Sequence, residues 1–195
     1  MKAVKIGLIV LGAAAAGLIG MYAYLGGFRP VTVSRGEQSS AEIVYSTHRG
    51  PYKDLHKSWS KFKAEWEAAG LADCDALAVY LDPPGTPEEK LRSIIACRID
   101  SLPAEQKAGI KAKLPSFTIP RSRAILSSFP YRNPISYFIG PTKVYPEFQK
   151  ALSNEATPPV AIETYGSMSR PAEEIGFSMP LESSRADYAK LIDAF

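Results

Sequence analysis

The chain has 195 residues, room for one domain and a short appendage rather than two full-sized domains. Hydrophobic residues make up 46% and charged residues 22%, an ordinary globular composition that excludes wholesale disorder. The net charge is +3, but Lys2 and Lys5 precede the first acidic residue, Glu37, so residues 28–195 hold 21 basic against 20 acidic side chains. Binding nucleic acid by counterion release needs clustered cations beyond balance, so neither DNA nor RNA is an expected partner. Cys74 and Cys97 are the only cysteines, and His48 and His56 the only histidines. That excludes a disulfide-rich scaffold and a four-cysteine zinc site, and neither pair sits at metal-binding spacing, so no metal or cofactor is expected.

Residues 6–25 form an uncharged run of 20, about the length that crosses a ~30 Å hydrocarbon core as a helix. Lys2 and Lys5 precede it, and Tyr22 and Tyr24 stand where an interfacial aromatic belt would be. A cleaved signal peptide needs small residues after its apolar core, yet Met21, Tyr22, Tyr24 and Leu25 fill that place. Residues 1–27 therefore read as an uncleaved membrane anchor, with the lipid bilayer as partner of residues 6–25. Lys2 and Lys5 on one side are nearly balanced by Arg29 and Arg35 on the other. The side of the soluble part stays open, with a slight lean to the extracytoplasmic side. Ala13/Gly17 and Ala16/Gly20 have helix-pairing spacing, although glycine and alanine are common in such helices anyway.

Residues 28–41 read as a tether, rich in Gly, Ser and Arg, that could hold a strand near Val31–Val33. Ile43–Tyr45 begins a strand that Gly50-Pro51 ends. Tyr52, Leu55, Trp59, Phe62, Trp66 and Ala69 then repeat at spacings of three and four, one apolar helix stripe with Gly70 at its stop. The opposite face carries Lys53, Asp54, Lys57, Lys61, Lys63 and Glu67, the pattern of a solvated face. ALAVYL (76–81) alternates as a strand, turns at Asp82-Pro83-Pro84-Gly85, and SIIACRI (93–99) is its antiparallel return. A short helix is expected over 103–113, strands over 117–120 and 123–131, and a second helix with the stripe Val144, Tyr145, Phe148, Ala151 and Leu152. The last strands are 160–165 and 175–181. Ser184 and Asp187 form a partial capping box before the stripe Tyr188, Leu191, Ile192 and Phe195, so residues 183–195 read as a docking helix.

The order is strand, helix, strand, strand, and then the same again. Gly50-Pro51-Tyr52-Lys53 opens the first helix and Gly140-Pro141-Thr142-Lys143 the second, while Ala78-Val79-Tyr80 corresponds to Ala161-Ile162-Glu163. Two such units, each with a half-covered sheet, bury their faces by joining as a pseudo-twofold pair. The expected fold is α+β with a cleft at the pseudo-twofold axis, preceded by one transmembrane helix.

Strand alternation places Tyr80 on the face opposite Leu77, Val79 and Leu81, and Glu163 and Tyr165 on the face opposite Val160, Ile162 and Thr164. If the repeat holds, Tyr80 and Glu163 are equivalent and point into the shared cleft, joined by Trp59 or Tyr52 from the helix. A carboxylate among aromatic rings suits a cationic or amphipathic organic ligand. Partial burial would also raise the glutamate pKa towards general acid–base work. The plain alternatives are a solvated strand glutamate and core packing for Trp59 and Trp66. His48 and His56 lack a carboxylate or serine partner at recognisable spacing, so no catalytic triad is expected. Cys74 and Cys97 flank one predicted hairpin, and one bridge or none is compatible with that placement.

GPYKDLHKSWSKFKAEW (50–66), AVYLDPPGTPEEKLR (78–92) and AIETY (161–165) resemble the gyrase-inhibitor-like (GyrI-like) effector-binding family, whose members include ligand domains fused to AraC-type and MerR-type regulators. With FPYRNPISYFIGPTKVYPEF (129–148) and the N-terminal helix, the chain is similar to a membrane-anchored branch that includes a testis-expressed reticulophagy receptor. The resemblance covers about residues 42–182, taken as the GyrI-like domain. It implies a pocket glutamate, Glu163 with Tyr165, that engages cationic ligands. Some stand-alone members hydrolyse cyclopropane-bearing compounds, and here Tyr80, Trp59 and Glu163 would serve, with Glu163 catalytic only in that case. No DNA-binding helices accompany the domain, and the long tail of the reticulophagy branch is not expected beyond Phe195. The expectations are thus a small-molecule-binding domain first, a hydrolase second, and a membrane-tethered protein adaptor third. Asp187-Tyr188-Ala189-Lys190-Leu191 superficially fits an adaptor ligand motif, but its Tyr and Leu fall on the apolar stripe.

Overall fold

The apolar N-terminal run forms helix α1 (Lys2–Tyr24), and its stretch Val4–Tyr24 is long and apolar enough to cross a membrane while burying nothing against the rest of the chain. Residues 2–153, 155 and 158–195 are described by the computed structural model. Directly after α1 the chain turns on Gly26, whose φ of +85° suits glycine; a Cβ there would fall 2.8 Å from Cγ of Pro130. Leu25 is fully buried at this joint, so α1 ends in a fitted contact with the domain.

Beyond it lie β1 (Ser34–Gln38), β2 (Ala41–Arg49), a 3₁₀ turn at Tyr52–Asp54, α2 (Leu55–Ala69), β3 (Asp75–Tyr80) and β4 (Arg92–Arg98). They are followed by α3 (Ala104–Lys111), β5 (Ser116–Ile119), β6 (Ser122–Pro130), α4 (Ser136–Ala151), β7 (Ala161–Ser167) and β8 (Pro171–Pro180). A 3₁₀ turn (Arg185–Tyr188) and α5 (Ala189–Ile192) close the chain. The eight strands make one antiparallel sheet in the order β1-β6-β8-β7-β3-β4-β2-β5. β1 lies within the stretch read as a tether and pairs with β6, so that stretch is part of the sheet edge.

The two halves meet where β3 pairs with β7, with Tyr80 opposite Ala161 and Ala78 opposite Glu163. A local twofold that exchanges Tyr80 with Glu163 also exchanges Ala78 with Ala161, so the register satisfies the repeat read from the sequence. One sheet face carries Ile43, Leu77, Val79, Ile94 and Ile162 under Tyr188 and Leu191 of the C-terminal segment. The other face has two clusters, one beneath Phe62 and Trp66 of α2 and one beneath Val144 and Phe148 of α4. α2 stops at Gly70, whose φ of +96° forms a left-handed cap as its sequence position predicts. The Ser184–Asp187 capping box is formed, with Ser184 N–H donating to Asp187 at 2.7 Å.

α4 differs from its sequence reading. It begins at Ser136 rather than at Gly140, so Pro141 and Pro146 lie inside it. The start is set by Asn133-Pro134: the Asn133 side chain accepts the Ile135 N–H at 2.9 Å, and buried Ser136 accepts the Arg132 N–H at 3.0 Å. Each proline removes one helical donor, and between them Thr142 Oγ1 donates to the Ile139 carbonyl at 2.8 Å.

Cys74 and Cys97 form a disulfide with Cα atoms 4.9 Å apart, fully buried beside Trp66, tying the entrance of β3 to β4. The bridge closes a loop of 23 residues, for which chain entropy gives about 3 kcal/mol. Cys97→Ser is expected to lower the melting temperature clearly, and thiol alkylation of the unfolded wild-type chain should add mass only after reduction. Alkylation of both cysteines without reduction would show that the bridge is not formed.

Candidate functional site

α2 runs down one half of the sheet and α4 runs up the other, leaving a cleft of about 1410 Å³ over the β3–β7 seam. Tyr52, Trp59, Tyr80, Glu163 and Tyr165, the five residues selected from the sequence, all line it. Glu163 lies on the floor and is 3% exposed. Its burial follows from register. On the cleft-facing side of the seam, Tyr80 and Glu163 each stand across from an alanine, which leaves room for both side chains to rise into the cleft.

Three tyrosine hydroxyls converge on the carboxylate. Tyr145 donates to Oε1 at 2.6 Å and Tyr165 to Oε2 at 2.9 Å, while Tyr80 lies 3.4 Å from Oε2 and 3.1 Å from the Tyr165 oxygen. Aromatic edges extend this group outward: Tyr52 meets Tyr80 at 4.9 Å, and Trp59 and Tyr137 meet Tyr165 at 6.5 and 5.2 Å. Tyr145 was read only as part of the α4 apolar stripe, yet it makes the shortest bond to Glu163. The usable signal was that a tyrosine on an inward-facing stripe must find a partner for its hydroxyl.

Burial pushes the Glu163 carboxyl up to about 7, against the three tyrosine hydrogen bonds that favour its charged form. Burial, with the nearby Glu163 charge, pushes the Tyr80, Tyr145 and Tyr165 hydroxyls well above their ordinary range, so they remain donors. Tyr52 is pushed up to about 12 by burial and by the carboxylates of Asp82 and Glu163. Among the described residues no basic side chain forms an ion pair with Glu163. The second carboxylate of the cleft wall, Asp82, is occupied: Arg92 grips it through its guanidinium at 2.6 Å and its own N–H at 2.6 Å.

The other candidates are structural. His48 does have a serine partner, Ser58 at 2.8 Å, which the spacing of ten residues concealed. Its other ring nitrogen lies 3.2 Å from the Pro51 carbonyl, which only a donor satisfies, so in the neutral ring Ser58 donates to Nδ1. Among the described residues no carboxylate hydrogen-bonds the His48 ring, and the pair fastens the start of α2 to β2. The lysine face of α2 is laced with Lys57–Asp54, Lys61–Glu65 and Lys63–Glu67 pairs, as expected of a solvated surface. Tyr188 and Leu191 are wholly buried, so the short motif at 187–191 is not presented to a partner. Among the described residues no cluster of potential metal ligands occurs.

The fold is the GyrI-like α+β arrangement. The C-terminal domain of EcmrR matches with a TM-score of 0.56 at 10% identity, over 79% of this chain and 99% of that one. SAV2435, solved with tetraphenylphosphonium bound, matches with a TM-score of 0.56 at 16% identity, over 78% and 94%. The integron cassette protein VCH_CASS2 from the mobile metagenome of Vibrio cholerae matches at 0.51 and 12% identity, over 78% and 98%. By sequence, the chain matches no family model and no curated protein. At these identities the likeness is one of fold.

Because the folded-state pKa of Glu163 is raised, its contribution to stability is full below about pH 4.5 and is lost as pH rises towards 7. The difference in unfolding free energy between wild type and Glu163→Gln should therefore change by on the order of 3 kcal/mol between pH 4 and 8, wild type losing ground as pH rises. Tyr145→Phe removes the shortest donor and should move the carboxyl pKa further up. A difference that stays flat with pH, measured by denaturant titration, would mean that Glu163 titrates as a solvated glutamate.

Proposed function

We propose that the cleft is a binding site for bulky, lipophilic organic cations, with Glu163 as counter-charge and the surrounding rings as contact surface. The observation that carries this reading is a buried carboxylate with no basic partner among the described residues, at the floor of a cleft walled by tyrosine and tryptophan. A cation entering there supplies the missing charge where the dielectric is low, and the ring faces add cation–π attraction. A hydrated inorganic ion would leave the rings unsatisfied, and a neutral ligand would leave the carboxylate so. SAV2435, which shares the fold, binds a cation of this kind. That supports the same chemistry here.

We read α1 as a single-pass membrane anchor, supported by its length, its apolar composition and its lack of burial. The buried Cys74–Cys97 bridge supports an oxidising, extracytoplasmic setting for the domain.

Tetraphenylphosphonium is the probe for the cleft. Binding to the full chain in neutral detergent should strengthen as pH rises from about 5.5 to 8, as Glu163 ionises, and should release protons near pH 7. Calorimetry in buffers of different ionisation enthalpy measures that release directly. Binding that is independent of pH and unchanged in Glu163→Gln would exclude the carboxylate as counter-charge.

One observation favours a second reading. A carboxyl group held near pH 7 in a sheltered cleft suits general acid–base catalysis, and hydrolysis of a strained or activated small molecule would use it. Mass spectrometry of such compounds after incubation decides the point: turnover that stops in Glu163→Gln while binding persists marks an enzyme, and unaltered masses leave a binding domain.

A further inference from the structure

The joint between α1 and the domain fixes which end of the domain meets the membrane. Gly26 packs against Pro130, the last residue of β6. The strand registers collect at that same end Pro130 opposite Glu174, Gly166 opposite Pro171, and Asp75 opposite Ser167. The turn between β7 and β8 and the first turn of α4 therefore lie at the anchored end.

Three large apolar side chains are exposed there: Ile135 at 43%, Phe138 at 65% and Met168 at 46%. Phe138 and Met168 also line the cleft, together with Pro134. Apolar groups with one side in a cavity and the other in water are poorly placed unless something covers them. The charges nearby point to the cover. Arg29, Arg132 and Arg170 are exposed at this end, and none takes part in a described ion pair. Exposed Glu173 and Glu174 offset them, while Asp73 is occupied by Ser167, Ser169 and the Cys74 N–H. Exposed aromatic and apolar groups ringed by arginines in near charge balance match the interface of a zwitterionic bilayer, where rings and guanidinium stems sit at headgroup level.

We propose that this end of the domain rests on the bilayer and that the cleft opens onto it through Pro134, Phe138 and Met168, so that ligands enter from lipid rather than from water. The proposal rests on α1 being an anchor and on the cleft being a ligand site. It narrows the ligand to amphipathic or lipophilic cations that partition into membranes.

The full chain is reconstituted in phosphatidylcholine vesicles with benzoylphenylalanine introduced singly in place of Ile135, Phe138, Val10 of α1 or Lys61 on the solvent face of α2. After illumination, lipid adducts are expected at 10, 135 and 138 and not at 61. Adducts at 10 without any at 135 or 138 overturn the proposal while the anchor stands. No adduct at 10 removes the anchor reading, and the proposal with it. Crosslinks between chains at 135 or 138 would mean that a second copy covers the patch. Entry is tested with tetraphenylphosphonium already partitioned into the vesicles. Ile135→Asp, which leaves the cleft lining intact, should slow association several-fold at unchanged equilibrium affinity. An unchanged rate overturns entry from lipid, and absence of binding in both chains overturns the cleft reading instead.

Discussion

The seam between β3 and β7 depends on a carboxylate that the fold removes from water. Isolated in an apolar interior, a charged glutamate would be untenable; here Tyr145, Tyr165 and Tyr80 replace much of its hydration. The replacement is incomplete, since burial still lifts the carboxyl pKa to about 7. The group is thus held between neutral and charged near neutral pH, where a cationic ligand of the kind proposed would shift the balance most. Three donors also hold the carboxylate in place, so a ligand would meet a preorganised acceptor rather than a mobile side chain.

That arrangement is a product of the repeat. Joined about a local twofold, the two units put their innermost strands together and their helices antiparallel on one face, so the cleft falls over the axis. The seam exchanges Tyr80 for Glu163 and keeps alanine opposite both. Symmetry in the backbone with asymmetry in these two side chains gives the seam one acid and one donor at the paired positions, not two acids in mutual repulsion. The opposite sheet face takes no part in this, because Tyr188 and Leu191 cover it.

Most of the fold was legible because its signals are local. The α2 stripe, the Gly70 stop, the strand alternation at 76–81 and 161–165 and the Ser184 capping box each specify geometry over a few residues. The start of α4 was obscured because Asn133-Pro134 nucleates it one turn before the glycine–proline pair that echoes the first unit. β1 was obscured because it is held by register with β6, some ninety residues away, rather than by its own composition. Of the cleft, the strand residues were legible from alternation and the repeat. Tyr145 was not, because a residue on a helix stripe is equally consistent with core and cleft until the helix has a position over the sheet. The Ser58 partner of His48 was hidden for the same reason, being a contact between elements.

The two ends of the cleft are built differently. At the end away from α1, Asp82 opens the Pro83-Pro84 turn and is locked by Arg92, whose guanidinium also lies 5.8 Å above the Phe195 ring, as does that of Arg49. The C-terminal segment, the β3–β4 turn and the cleft wall are thereby coupled into one stiff corner, and opening the cleft there would break charge-assisted bonds. At the end beside α1 the wall is made of Pro134, Phe138 and Met168, whose side chains make no ion pair and are exposed in part, although the Met168 N–H donates to the Cys74 carbonyl at 2.8 Å. Displacing such side chains sacrifices contact area but no ion pair, and a lipid interface would restore that area as they move. The end of the cleft walled by apolar side chains is therefore the one beside the Gly26–Pro130 joint, and it would face the membrane if α1 is the anchor proposed above.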